Sequence, residues 1–257
     1  MKLAGDYVKS TLGIVGGLGP LASAEFLNTI YECSLDGVEQ ESPFVVMSSD
    51  PSFPDRTEAF LRGEHDELLQ RLVRVLRQLS EMGASKFVIC CITIHYLLPL
   101  LPPDLRSRVV SLLDVIIDQV AQTRKRHLLI CSQGTRRLGL FQNHRSWNLV
   151  KDRIVLPDDE DQEEIHQEII YRIKREPDVG QFMPRVESLL VKYEADSFIA
   201  GCTEIHLLAK HFLSSNRSYG CIDPLFIIAK ELAAEYTVAS HPLHPPVANV
   251  PVGSIAA

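Results

Sequence analysis

Hydrophobic and polar residues follow two rhythms along this chain. Short apolar runs, too brief for a helix of their own, alternate with longer stretches in which apolar side chains return every three or four positions. The runs at 11–15 (TLGIV), 43–49 (PFVVMSS), 87–91 (FVICC), 127–131 (HLLIC), 154–157 (IVLP), 197–202 (SFIAGC) and 218–224 (SYGCIDP) read as strands. The stretches at 22–34, 64–82, 104–125, 158–174, 181–196 and 224–236 read as helices. The clearest is 64–82, which sets Leu68, Leu69, Leu72, Val75, Leu76 and Leu79 on one face. Residues 158–174 open on acidic side chains and close on Lys174 and Arg175, matching the helix macrodipole. GGLGP at 16–20 reads as a tight turn, and DPSFPDRTEAF at 50–60, with two prolines and two aspartates, as a loop. Strand and helix alternate throughout, as parallel βαβ units do.

One stretch occurs twice. Residues 83–97 (GASKFVICCITIHYL) and 194–208 (EADSFIAGCTEIHLL) match at Ala84/Ala195, Phe87/Phe198, Cys91/Cys202, Ile94/Ile205, His95/His206 and Leu97/Leu208. Each copy is an apolar run that ends on a cysteine and leads into a helix. Each therefore sets a thiol at the carboxyl end of a parallel strand, where α/β sheets bind ligands and helix N–H groups favour a thiolate. The expected fold is α/β: two pseudo-symmetric flavodoxin-like or Rossmann-like lobes with parallel sheets and a cleft between them. The first lobe takes residues 1–108 plus 218–239 and the second 109–217, while 240–257 form a proline-rich tail. Cys91 then stands on one wall of the cleft and Cys202 on the other. His95 and His206, each four residues past its cysteine, either orient the site or are packed helix histidines.

Composition narrows the function. The 257 residues are 46% hydrophobic and 23% charged, an ordinary globular balance. A net charge of −7 argues against a nucleic-acid surface, which needs a basic face. No apolar run approaches the roughly 20 residues of a membrane span, and MKLAGDYVKS lacks the apolar core of a signal peptide. Six cysteines in such a chain read as reduced cytoplasmic thiols rather than a disulfide framework. No metal site is expected, because there is neither a C-x-x-C pair nor an H-E-x-x-H motif. The glycine turn is not the dinucleotide fingerprint, so it either receives a carboxylate or is purely structural. Arg56, just past a strand end, can grip a carboxylate or simply be solvated. Ser132 and Thr135 supply hydroxyls at the end of the 127–131 strand, and Lys174 on composition alone is a surface cation.

Two opposed thiols suit one reaction class, in which a thiolate removes a proton from one face of a carbon and a thiol returns one to the other. The segments GIVGGLGPLASAEF, SDPSFPDRT, CCITIHYLLP, EIIYRIK and AGCTEIHLL resemble, in order and spacing, the aspartate/glutamate racemase family, from about residue 11 to 235. The aspartate racemase branch is the nearer. The resemblance implies a cofactor-independent amino-acid racemase and a homodimer, with Cys91 and Cys202 as the two bases. It implies that Arg56 and Lys174 bind carboxylates and that Thr93, Thr135 and Thr203 hydrogen-bond the α-carboxylate. The partner is then a small amino acid, with no nucleic acid and no membrane. Cys90 and Ile92 depart from the family's usual proline and asparagine, and His206 stands where proline is common.

Three further readings stand beside it. One is a dicarboxylate isomerase or decarboxylase, which needs a single cysteine. Another is a non-catalytic binder of acidic amino acids, marked by Ile92. The third is a thiol hydrolase, for which no third orienting group is apparent.

Overall fold

In the computed structural model, residues 11–35, 39–176, 178–214 and 219–239 are described, and the apolar runs become seven strands among them. They are β1 (Thr11–Gly16), β2 (Val45–Ser49), β3 (Ala84–Ile89), β4 (His127–Cys131), β5 (Ile154–Val155), β6 (Ser197–Gly201) and β7 (Gly220–Ile222). The helices are α1 (Pro20–Glu32), α2 (Arg56–Leu61), α3 (His65–Glu81), α4 (Pro103–Arg106), α5 (Leu112–Ala121) and α6 (Gln133–Arg137). After them come α7 (Trp147–Val150), α8 (Asp159–Glu164), α9 (Tyr171–Ile173), α10 (Met183–Lys192), α11 (Ile205–Ser214) and α12 (Pro224–Ala239). The expected proline-rich tail, 240–257, lies outside the described residues.

The strands form two parallel sheets, β2-β1-β3 and β5-β4-β6-β7. Val109 pairs with Phe87 beside β3, just as β7 pairs with β6 beside Phe198. The internal repeat therefore extends past the cysteine motif to the next strand position of each sheet. Because both faces of each sheet are covered, strands are buried on both sides rather than alternating with polar residues. Leu12, Ile14 and Val88 of the first sheet and Leu129 and Ile199 of the second face a shared middle layer built from α1, α5 and α12. On its outer face the first sheet buries Val15, Phe87 and Ile89 against Leu68, Leu72 and Leu76 of α3. The second buries Leu128, Ile130 and Phe198 against α10 and α11. Each such fully buried side chain contributes about 1.5–3 kcal/mol relative to exposure.

Several expected boundaries move. The helix expected over 104–125 breaks, because Phe87 pairs through its N–H with Arg108 O and through its carbonyl with Val110 N–H, both at 2.8 Å. Ser111 then restarts the helix by accepting the Asp114 N–H at 3.1 Å. The loop expected over 50–60 ends at Asp55, which caps α2. Residues 158–174 pass through a π-helix, Ile165–Ile170, between α8 and α9. Residues 218–239, expected with the first lobe, are shared: β7 completes the second sheet, and α12 packs on α1 and α5. Among the described residues, no helix is long and apolar enough to cross a membrane.

Candidate active site

Strand β3 ends at Ile89 and β6 at Gly201, so each sheet presents a cysteine just beyond its carboxyl edge. Cys91 and Cys202 line one buried cavity of about 20 Å³. Cys90 instead turns into the middle layer, where burial pushes its thiol pKa far up. Ile92, which stands at the position of the family's usual asparagine, is buried in the same layer and does not line the cavity. A cavity of this size holds about one water molecule, so anything larger enters only when the cleft opens. A wider opening of about 290 Å³ lies directly outside, bordered by Pro20, Pro51 and Phe53. Leu18, Asp55, Arg56, Tyr171 and Lys174 line both spaces and so form the partition between them. A larger opening of about 590 Å³ lies beyond His95, beside Tyr96, Arg106 and Arg145, but neither thiol lines it.

The partition is fastened across the lobes. The Tyr171 hydroxyl donates to Asp55 Oδ2 at 2.8 Å, while Asp55 Oδ1 accepts the Glu58 N–H at 3.0 Å. Burial, then the bonded carboxylate, raise the Tyr171 pKa, so the phenol stays a donor. Burial works against the Asp55 charge, but the Glu58 N–H, the Tyr171 hydroxyl and the nearby Arg56 and Lys174 hold its pKa below the usual range. Capping by Asp55 makes Arg56 the first residue of α2. Its Nη1 donates to Pro54 O at 3.0 Å and its Nη2 to Leu18 O. Burial opposes the guanidinium charge, and Cys91, Asp55 and Glu204 more than offset it. Arg56 Nε is buried with no hydrogen-bond partner among the described residues.

Three hydroxyls join the walls. Thr93 Oγ1 lies 3.0 Å from Ser132 Oγ and 2.9 Å from Thr135 Oγ1. Ser132 also caps α6 by accepting the Thr135 N–H at 3.2 Å. Thr93 and Ser132 face the cavity with Thr135 behind them, whereas Thr203 turns away and donates to Cys90 O at 3.2 Å. Helix α6 packs on α2 so closely that a Cβ at Gly134 would lie 2.7 Å from Thr57 Oγ1 and 3.1 Å from Thr57 Cα. The π-helix leads into Tyr171 and Lys174, both on the cavity wall. Lys174 Nζ sits 4.1 Å from the Tyr171 ring centroid and 3.9 Å from Glu204 Oε1.

Glu204 completes the wall. Its side chain is only 4% exposed. Oε2 accepts a hydrogen bond from Cys202 Sγ at 2.9 Å, while Oε1 has no hydrogen-bond partner among the described residues. A side chain at Gly19 would collide with that oxygen, so the glycine turn makes room for the carboxylate. Burial and then Glu204 raise the Cys202 pKa well above that of a free thiol, against the helix-terminus expectation of a thiolate.

Residues 15–232 match the model of the Asp/Glu/hydantoin racemase family. The chain belongs to that family. Its fold is similar to that of the Picrophilus torridus aspartate racemase, with a TM-score of 0.73 and 19% identity, over 89% of this chain and 94% of that one. Glutamate racemase from Francisella tularensis, in complex with D-glutamate, gives a TM-score of 0.57 at 13% identity, covering 90% of this chain and 82% of that one. Allantoin racemase from Klebsiella pneumoniae gives 0.54 at 13% identity, covering 90% and 89%. At these identities the likeness is one of fold.

Within this racemase fold the two repeat histidines carry structure and do not touch the thiols. His95 Nε2 accepts the Leu112 N–H at 3.0 Å, so Nδ1 bears the proton and donates to Cys91 O at 2.8 Å. Burial lowers the His95 pKa to about 4, which keeps that neutral tautomer. His206 bridges Asp223 Oδ2 at 2.5 Å and Thr29 Oγ1 at 3.0 Å, tying α11, α12 and α1 together. Asp55, Tyr171 and Glu204 were not singled out as site residues from the sequence. The signal for Glu204 was available: it is a carboxylate two residues beyond a cysteine at a strand's edge, where the first repeat has Thr93.

Proposed function

We propose that this racemase interconverts L- and D-aspartate without a cofactor, using Cys91 and Cys202 as the opposed base and acid. The supporting observation is that both thiols and two cations, Arg56 and Lys174, line one small cavity at the facing edges of the two sheets. Two cations suit a short dicarboxylate better than an uncharged cyclic amide. One sulfur, as thiolate, takes the α-proton, and the electron pair of the broken C–H bond moves into the α-carboxylate. The opposite thiol then gives its proton to the other face of the carbon, leaving thiol and thiolate exchanged. Thr93 and Ser132, backed by Thr135, donate to the carboxylate as negative charge builds on it. Arg56 Nε, buried and without a hydrogen-bond partner among the described residues, would donate to the second carboxylate in this reading. Closure excludes water, which strengthens each of these interactions. The same reading takes the working form to be a cytoplasmic homodimer.

Proton NMR in deuterated water tests the proposal, with L-aspartate, the purified protein and no added cofactor. The α-proton signal is expected to vanish as D-aspartate accumulates, and either Cys91→Ala or Cys202→Ala is expected to abolish both changes. Racemisation that survives one of these substitutions removes the two-thiol mechanism. Thermal stabilisation by aspartate without any exchange marks a binding protein instead.

A further inference from the structure

Three buried side-chain polar atoms lack a hydrogen bond among the described residues, and two of them, Arg56 Nε and Glu204 Oε1, belong to the wall of one cavity. A buried acceptor without a donor costs about 1–3 kcal/mol and is retained where a ligand supplies the missing partner. Oε1 needs a donor, and its ion pair with Lys174 Nζ, one of the cavity's two cations, is 3.9 Å long, too far for a hydrogen bond. The other oxygen is already engaged by Cys202.

The balance of charge identifies the donor. The cavity offers Arg56 and Lys174 for carboxylates, and Asp55 is already bound by the Tyr171 hydroxyl and the Glu58 N–H. Glu204 remains as the carboxylate with an open position, fixed at the base of the glycine turn beside the Cys202 thiol. We infer that Glu204 Oε1 receives the α-ammonium of the substrate and so restricts the site to α-amino dicarboxylic acids, excluding dicarboxylates that lack an amine. This rests on the amino-acid racemase reading and adds the group that selects for the amine. The pairing also keeps the nitrogen protonated beside the reacting carbon, where its positive charge acidifies the α-hydrogen. Lys174 leaves its long contact with Glu204 as the ligand enters and turns to the carboxylate.

Succinate carries the two carboxylates of aspartate without the amine, so calorimetric titration with the two ligands isolates the ammonium. The wild-type protein is expected to bind L-aspartate at least about tenfold more tightly than succinate, as the loss of one charge-assisted hydrogen bond requires. Glu204→Gln is expected to lose this preference while holding succinate at least as tightly as before. A residue that only supported the fold would weaken both ligands together. The inference is overturned if the wild type does not discriminate, or if Glu204→Gln keeps the preference or loses both ligands alike. If a thermal melt shows that Glu204→Gln does not fold, Glu204→Asp replaces it. That variant withdraws the carboxylate by one methylene and is expected to weaken aspartate alone; equal weakening of both ligands again overturns the inference. Exchange of the α-proton by the wild type alongside any of these negative results removes only the role of Glu204. Absence of both exchange and binding removes the racemase reading with it.

Discussion

Replacing Gly134 with alanine places one methyl group in the contact that closes the two lobes over the cavity. The new Cβ would stand 2.7 Å from Thr57 Oγ1, 3.0 Å from Thr93 Cγ2 and 3.1 Å from Thr57 Cα, against 3.4 Å or more for ordinary contact. Relieving these contacts requires α6 to move away from α2 and Thr93 by about 0.3–0.7 Å, and overpacking of this kind costs about 1–3 kcal/mol. The cost falls on the closed state, in which these helices are in contact. At 1.36 kcal/mol per tenfold, kcat/KM for racemisation should drop by about 5- to 150-fold. Each lobe's own packing is untouched, so the thermal midpoint should move by only a few degrees. Deuterium exchange at Cα, followed by NMR, gives kcat/KM directly. Thr57→Ala removes the nearest of the three obstructing atoms, so it should restore part of the loss in the double variant, judged by a double-mutant cycle. A Gly134→Ala rate within twofold of wild type, or no restoration in the double variant, would refute the closure argument.

Other predictions test separate parts of the site. Tyr171→Phe removes the hydrogen bond to Asp55 that fastens the partition and should raise KM about tenfold with kcat within about threefold; an unchanged KM counts against the latch. The Cys202 thiol, raised by burial and Glu204, should alkylate with iodoacetamide only at a pH well above that of a free cysteine, and Glu204→Gln should move the inflection down. Peptide mass spectrometry reads this, and an inflection unmoved by the substitution would contradict the assignment. His95 is neutral in the fold, with its pKa lowered from 6.5 to about 4 by burial, so the unfolded chain takes up the proton first as pH falls. Its stabilisation is complete above pH 6.5, and roughly 3 kcal/mol disappears as pH drops toward 4. Urea midpoints should fall less steeply with acid in His95→Gln, and equal slopes would place the sensitivity elsewhere.

Periodicity made the architecture legible because parallel strands buried on both faces have no polar alternation to blur them. It located α3 almost to the residue, since five buried positions recur at helical spacing. The break at 107–111 was not legible: Arg108, Val109 and Val110 suit a helix in isolation and become extended only because Phe87 offers a free ladder edge. The π-helix likewise depends on packing that no local pattern encodes. In the site, the internal repeat singled out Cys91 over its neighbour Cys90, and the structure turns Cys90 into the core. Repetition marks Glu204 only as a departure, a carboxylate where the first copy has Thr93, and says nothing of Tyr171, which lies outside both copies. The repeat also drew attention to His95 and His206, whose partners are backbone, Thr29 and Asp223.

The middle layer between the sheets has a consequence for the order of synthesis. Leu12, Ile14 and Val88 belong to the first part of the chain, yet they share a core with Leu225 and Leu232 of α12. A nascent chain that has made both cysteine motifs still lacks α12, which packs on α1 and α5 in the layer over the inner face of its earliest sheet. Until α12 leaves the ribosome, the apolar sides of α1 and α5 that it covers remain open to chaperones or to another chain. Truncation ahead of residue 224 should therefore disturb α1, about two hundred positions away in sequence, before it disturbs the strand just upstream.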